Sequence, residues 1–350
     1  IFEIIKSYNV RTINFRLILY VIALSVLGIF VISSATDDTG YVSKQILGLA
    51  IGIVMMIILM LTRYEFIARY YWLLYIVTLV LLAVVLSPLG ATHKGAQRWI
   101  DIGNAFQVQP SEIAKLLLII FFSALIAKNQ TTLNTWKFVF FMIIFAAIPL
   151  FMVYKEPDLS TSIVLFVTIC AIIFTSGLHR RFIKVIVLIA VPLAVALIAL
   201  IVILPPDKNI LDEYQYNRLV GFYEADNEVA ARIRYQQENS VIAIANGGLT
   251  GKGLNNTSVN SVKNADFISE PQTDFIFTIV GEELGFIGSA AVVLLLMLIV
   301  IECFRTGFRA REQIGRGIAI GMGSLIGIQS FINLGVVTMI LPNTGVTLPF

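Results

Sequence analysis

The sequence predicts an all-α polytopic membrane protein, a helical bundle with nine spans in this chain and one large extracellular loop. Three observations carry that prediction. The apolar residues come in runs of about 20, the length a helix needs to cross about 30 Å of hydrocarbon. Charged residues make up 13% of the 350-residue chain and hydrophobic ones 58%, whereas soluble domains carry about 25% charged residues. Together with a mean hydropathy of +0.87, this leaves too little polar surface to coat a water-soluble globule. The runs are also continuous rather than alternating, which favours helices over an outer-membrane barrel.

The spans fall near 16–35, 44–61, 70–87, 112–127, 138–154, 159–177, 185–204, 274–301 and 317–341. Lys6, Arg11 and Arg16 precede the first. Arg63 and Arg69, then Lys128 and Lys137, then Arg180, Arg181 and Lys184, and then Arg305, Arg309, Arg311 and Arg316 lie in alternate connections. Basic residues gather on the cytoplasmic side, so the N-terminus is placed inside and Phe350 outside. Segment 205–273 is then outside and has the opposite bias, nine acidic residues to six basic. It is too long for a plain connector, contains a helix-like stretch at 226–246, and reads as an ordered cap within a single transmembrane domain covering 1–350. Loop 88–111 breaks the charge pattern, because it is external yet holds His93, Lys94 and Arg98. Two readings stay open for it: anion binding, or a long outer loop that tolerates basic residues.

Several function classes drop out. A net charge of +3 spread over cytoplasmic loops gives no reason to expect nucleic acid. Cys170 and Cys303 fall in or beside apolar spans, so neither a disulfide nor a metal site is expected from them. His93 and His179 fall on opposite sides of the membrane. There is no metal-ligand spacing and no Ser-His-Asp arrangement. No cleavable signal is evident, and the chain starts at Ile1, as a trimmed one would.

Ionisable groups at or within spans are costly and by default functional. Asp274 begins the eighth span. It is either a helix cap, since the first helical N–H groups lack partners, or a general base at the membrane surface. Glu282 and Glu283 lie eight and nine residues further on, about 12–14 Å deeper. A structural ion pair with a lysine from another span is the favoured reading there. Glu112 and Lys115 share a face at i, i+3, so they pair with each other, or Lys115 serves Glu283 or a phosphate. Asp158, in a very short connection, either caps the sixth span or lines an outward cavity. GGLTGKGL at 247–254 departs from a Walker A loop in its glycine spacing and reads as a turn. The residues alone therefore stop at a helical membrane protein with an outward polar site, which suits a transporter and a lipid-linked transferase alike.

Longer motifs go further. GAQRWIDIG at 95–103, QPSEIAK at 109–115, EPDLSTS at 156–162, YQQENSVIAIANGGLTGKGL at 235–254, PQTDFIFTIVGEELGFIG at 271–288 and FINLGVVTMILPNTGVTLPF at 331–350 resemble, in family order, the blocks of the SEDS family of RodA, FtsW and SpoVE. AIANGGLTGKGL leans toward the RodA-like members. Ser160, Ala245, Asn246 and Gln272 depart from the family pattern, as does the absence of a histidine before Thr273.

The resemblance implies a SEDS-type bundle of ten helices, the tenth following an LSYGGSS stretch beyond Phe350. It implies a peptidoglycan glycosyltransferase in the bacterial cytoplasmic membrane that polymerises lipid II at the outer face, serving cell shape, division or sporulation. Asp274 falls at the family's essential aspartate and takes the base role. Trp99 falls at the motif tryptophan, for which the residues alone suggest an interfacial belt position. Arg98, with Lys94 or Lys115, is the candidate for pyrophosphate contact, and Asp158 and Glu112 complete the substrate-binding set. Glu282 and Glu283 remain structural. No cofactor is required and no protein metal site is expected, although a divalent cation, magnesium or manganese, is a second candidate for pyrophosphate charge. The expected partners are lipid II, membrane lipid and a class B penicillin-binding transpeptidase. The rival class is a lipid II flippase, which the clustering of charge toward the outer face disfavours. A third class is a scaffold that only activates a transpeptidase.

Overall fold

The computed structural model describes residues 13–36, 38–93, 96–102, 106–203, 213–223, 228–256, 261 and 271–350. Helices dominate in chain order: α1 (Phe15–Ala35), α2 (Thr39–Leu61), α3 (Tyr64–Arg69) and α4 (Tyr71–Leu86), then α5 (Pro110–Lys128), α6 (Trp136–Lys155), α7 (Leu159–Thr175) and α8 (Arg180–Ile203), then α9 (Glu213–Tyr223), α10 (Glu228–Asn246), α11 (Ile276–Arg309) and α12 (Gln313–Val337). Among the described residues six of these, α1, α2, α5, α6, α11 and α12, are long and apolar enough to cross a membrane, and α4 and α7 are shorter apolar helices.

The expected spans land on these helices, but several helix ends run past the apolar stretches. α2 starts at Thr39 rather than near 44 because Asp38 caps it, its carboxylate accepting the Gly40 N–H at 2.8 Å. α11 continues to Arg309 and α12 begins at Gln313. Hydropathy marks the hydrocarbon core, whereas helical hydrogen bonding continues into the polar layer beyond it. α2 also shows why this chain needs lipid, since none of its 23 residues is buried although nearly all are apolar. Water would not tolerate such a surface.

The chain divides into two compact units, one of Ile1–Ile67, Arg234–Arg305 and Gln329–Phe350, the other of Ala68–Ile233 and Thr306–Ile328. In the second, α4 packs on α5 and α6, and α7 packs on α5 and α6. Leu82, Ala114 and Val153 meet at its centre. Tyr75 stacks on Phe121 at 4.4 Å between ring centroids and donates its hydroxyl to the Phe145 carbonyl at 3.1 Å.

Residues 88–111 were expected to be a loop. Part of that segment is instead a small antiparallel sheet, β1 (Ala91–His93), β2 (Ala96–Ile102) and β3 (Phe106–Val108), in the order β1-β2-β3. Ala91 pairs with Trp99, and Asp101 pairs with Gln107. The sheet rests on α4 and α5, and the Gln97 amide ties it to the end of α4 by donating to the Ser87 carbonyl at 2.8 Å. Short alternating strands inside a mostly apolar chain give a weak signal beside twenty-residue helices.

Candidate functional site

In the second unit, β2 carries Arg98 and Trp99. Successive strand residues point to opposite faces, so the two side chains serve different surroundings. The Arg98 guanidinium turns to the connection between α6 and α7. It donates to the carbonyls of Glu156, at 3.2 Å, and Pro157, and it lies 3.9 Å from an Asp158 carboxylate oxygen. Asp158 caps α7 by accepting the Thr161 N–H at 3.0 Å, the cap expected for the sixth span, and its other oxygen accepts from the Gln109 amide at 3.1 Å. The sequence therefore brings Arg98 and Asp158 together, through a guanidinium fork that can bond several oxygens at once. Trp99 is half-buried. Lys94 lies outside the described residues.

Lys115, 2% exposed, pairs with Glu112 on its own helix at 2.9 Å. Of the partners weighed from sequence this is the local one. The i, i+3 spacing at the start of α5, where Pro110 opens the helix, puts the two within reach before any tertiary contact is made.

Glu156 was not singled out from the sequence. It is fully buried, and among the described residues neither carboxylate oxygen has a hydrogen-bond partner. Burial pushes its pKa up to about 8, the Asp158 charge adds to that shift, and Arg98 opposes it. An acid two residues from Asp158 in a short connection gave no sign of this, because its burial depends on where the α6–α7 connection folds.

In the first unit, Asp274 sits half-buried in the turn that precedes α11. Its carbonyl accepts from the side-chain amide of Asn333 at 2.8 Å. Further along, α11 breaks at Gly285, whose φ of 65° and ψ of −161° are non-helical. The break exchanges hydrogen bonds with the glycine-rich turn. The N–H groups of Phe286 and Ile287 bond the carbonyls of Gly248 and Leu249 at 2.9 and 3.1 Å, and those of Lys252 and Gly253 bond the carbonyls of Glu282 and Glu283 at 3.1 and 2.9 Å. Each backbone group that loses a helical partner gains one from the turn, as burial demands. The turn needs glycine here, since a Cβ on Gly251 would lie 2.1 Å from the Glu283 carbonyl oxygen.

This arrangement corrects the expectation for Glu282. Glu282 does pair with a lysine, at 2.7 Å, but the lysine is Lys252 of the glycine turn and not a residue of another span. Glu283 accepts a hydrogen bond from the Ser34 hydroxyl of α1, which in turn accepts the Asn255 N–H at 2.7 Å. Among the described residues no cluster of three or more His, Cys, Asp or Glu side chains is placed to hold a metal ion.

Two groups of polar side chains thus stand at helix ends of a mostly helical, multi-pass membrane protein: Arg98, Asp158, Gln109 and Glu156 in one unit, and Asp274 with Asn333 in the other. The chain belongs to the FtsW/RodA/SpoVE family. The family model, described as cell cycle protein, matches residues 11–350. Stage V sporulation protein E of Bacillus subtilis is 31% identical, over 95% of this chain and 90% of that protein. Peptidoglycan glycosyltransferase MrdB of Escherichia coli K12 is 33% identical, over 95% of this chain and 86% of that protein. The crystal structure of the Thermus thermophilus rod shape determining protein RodA superposes with a TM-score of 0.68 at 23% identity, over 98% of this chain and 90% of that one. A chain from a peptidoglycan synthase complex gives 0.76 at 23% identity, over 97% and 91%. These two likenesses establish the fold.

Proposed function

We propose that this chain is a peptidoglycan glycosyltransferase that polymerises lipid II at the outer face of the bacterial cytoplasmic membrane, with its N-terminus in the cytoplasm. Its match to the family across residues 11–350, at 33% identity to a peptidoglycan glycosyltransferase, carries the reading. The acceptor's sugar 4-hydroxyl attacks the anomeric carbon of the donor. A new C1–O4 bond forms as the bond from C1 to the pyrophosphate oxygen breaks, with inversion. The hydroxyl proton passes to the Asp274 carboxylate, and undecaprenyl pyrophosphate leaves with the bonding pair.

The base role for Asp274 is supported by its position just before α11 rather than within it, a helix end being within reach of a lipid-linked acceptor. Positive charge from Arg98, Lys115 and Lys94 stabilises the departing pyrophosphate, an anion that a guanidinium binds in a forked geometry. Asp158 holds Arg98 in place, Glu112 orients Lys115, and Trp99 supplies a flat apolar contact for the sugar-lipid junction. A magnesium or manganese ion carried in by the pyrophosphate would share the charge. A class B penicillin-binding transpeptidase is the partner that cross-links the product, a pairing supported by the likeness to a chain of a peptidoglycan synthase complex.

The test incubates the full-length protein and its partner transpeptidase with lipid II in detergent and resolves glycan polymer on a gel. The parent should make polymer, and a folded Asp274→Ala variant should make none. Equal polymer from both would remove Asp274 from the mechanism. No polymer from either, with lipid II crossing liposome bilayers, would favour a flippase.

A further inference from the structure

We propose that Asn333 is a positioning residue for polymerisation, holding the backbone of Asp274 from the far end of α12. The proposal rests on the reading of Asp274 as the base. Asn333 is 1% exposed, and both N–H bonds of its amide are used. One goes to the Asp274 carbonyl at 2.8 Å and the other to the Val346 carbonyl at 2.7 Å. A buried amide is costly unless it is bonded; here both donors are bonded, while the amide oxygen has no partner among the described residues. The site thus calls for two donors on one rigid atom.

The Asp274 carbonyl is available to Asn333 for a local reason. The Thr278 N–H goes to the Phe275 carbonyl at 2.9 Å, so the helix does not take up Asp274 as its first acceptor. The turn Pro271–Phe275 receives its anchor from another element. That element is itself braced, because the Ser240 hydroxyl of α10 bonds the Val337 carbonyl at 2.9 Å and meets the Thr278 hydroxyl at 2.5 Å. The Gln237 amide, also on α10, donates to the carbonyls of Val336 and Leu341 at 2.8 and 2.9 Å. Asn333 therefore transmits a rigid frame to the turn carrying the carboxylate, and displacing that turn moves the base away from the acceptor hydroxyl.

The experiment compares Asn333→Ala, Asn333→Asp and Gln237→Met in the full-length protein with its partner transpeptidase, following lipid II polymerisation across pH. Asn333→Asp keeps the shape but has no donor when ionised and one when protonated. Gln237→Met loosens the same C-terminal segment without touching Asp274. We expect Asn333→Ala to lower kcat about 10–100-fold, the cost of about 1 Å of misplacement at a reacting group, with KM for lipid II little changed. The deficit of Asn333→Asp relative to the parent should widen as pH rises, and Gln237→Met, in which Ser240 still braces the end of α12, should lose less kcat than Asn333→Ala.

Parent-like kcat in Asn333→Ala, an equal loss in Gln237→Met, or a pH-independent deficit in Asn333→Asp would overturn the proposal. If Asn333→Ala does not fold, the pH response of Asn333→Asp decides alone. Asp274→Ala separates the two levels. Full activity there removes the base reading, whereas an inactive Asp274→Ala beside an active Asn333→Ala removes only this one.

Discussion

Among the described residues the Glu156 carboxyl group meets no hydrogen-bond donor, and it is buried beside Asp158. Its folded pKa, about 8, lies above its ordinary value of 4.5. Between those values the folded protein holds one proton more than the unfolded chain, so stability falls as pH rises across the window. Below 4.5 both states are protonated and the full stability is present; above about 8 the folded state carries the whole penalty. Thermal unfolding followed against pH should show this decline in the parent. In Glu156→Gln, which is neutral and nearly the same shape, the decline should flatten. An unchanged slope would mean that Glu156 ionises without cost. The sequence displayed the EPD motif, and it made the Asp158 cap legible because capping is a local event. The state of Glu156 was not legible, because desolvation is set by what covers the residue.

At the scale of elements, the joint between α11 and the glycine turn is the feature with most structural consequence. Four backbone bonds cross it, and two glycines allow it. Gly285 has a backbone conformation that side chains avoid, and a Cβ there would meet the Gly251 nitrogen at 2.3 Å. Gly285→Ala should therefore cost about 1–3 kcal/mol in strain alone and lower the unfolding temperature, while Gly48→Ala, which meets nothing within 4 Å, should leave it near the parent value. Equal melting of the two variants would show that the joint yields easily. GGLTGKGL was legible as a turn, and a helix expected over 226–246 appears as Glu228–Asn246. The bonding of that turn to a broken helix was not legible, because an uninterrupted apolar helix reads the same as one broken at a single glycine.

At the scale of the whole molecule, lipid is part of what holds the fold. Met55 lies in the middle of α2, which buries no residue. A charge there would face hydrocarbon directly, at a cost of about 2.5–3.5 kcal/mol on insertion scales. Met55→Lys should therefore reduce the yield of membrane-inserted protein, and Met55→Leu should not; equal yields would place α2 against protein or water.

The sequence by itself determined the membrane class and the approximate spans, because twenty-residue apolar runs admit few other solutions. It also offered, among alternatives, the contacts that form within a turn of helix, Glu112 with Lys115 and Asp158 with the start of α7. Tertiary structure alone decided the partners of the costly groups: Lys252 for Glu282 across 30 residues, Asn333 for Asp274 across 59, and Ser34 for Glu283 across 249. Hydropathy and periodicity report what a side chain avoids. Which donor meets a buried carboxylate or carbonyl is settled only when distant segments pack, and burial makes an unmet group too costly to leave.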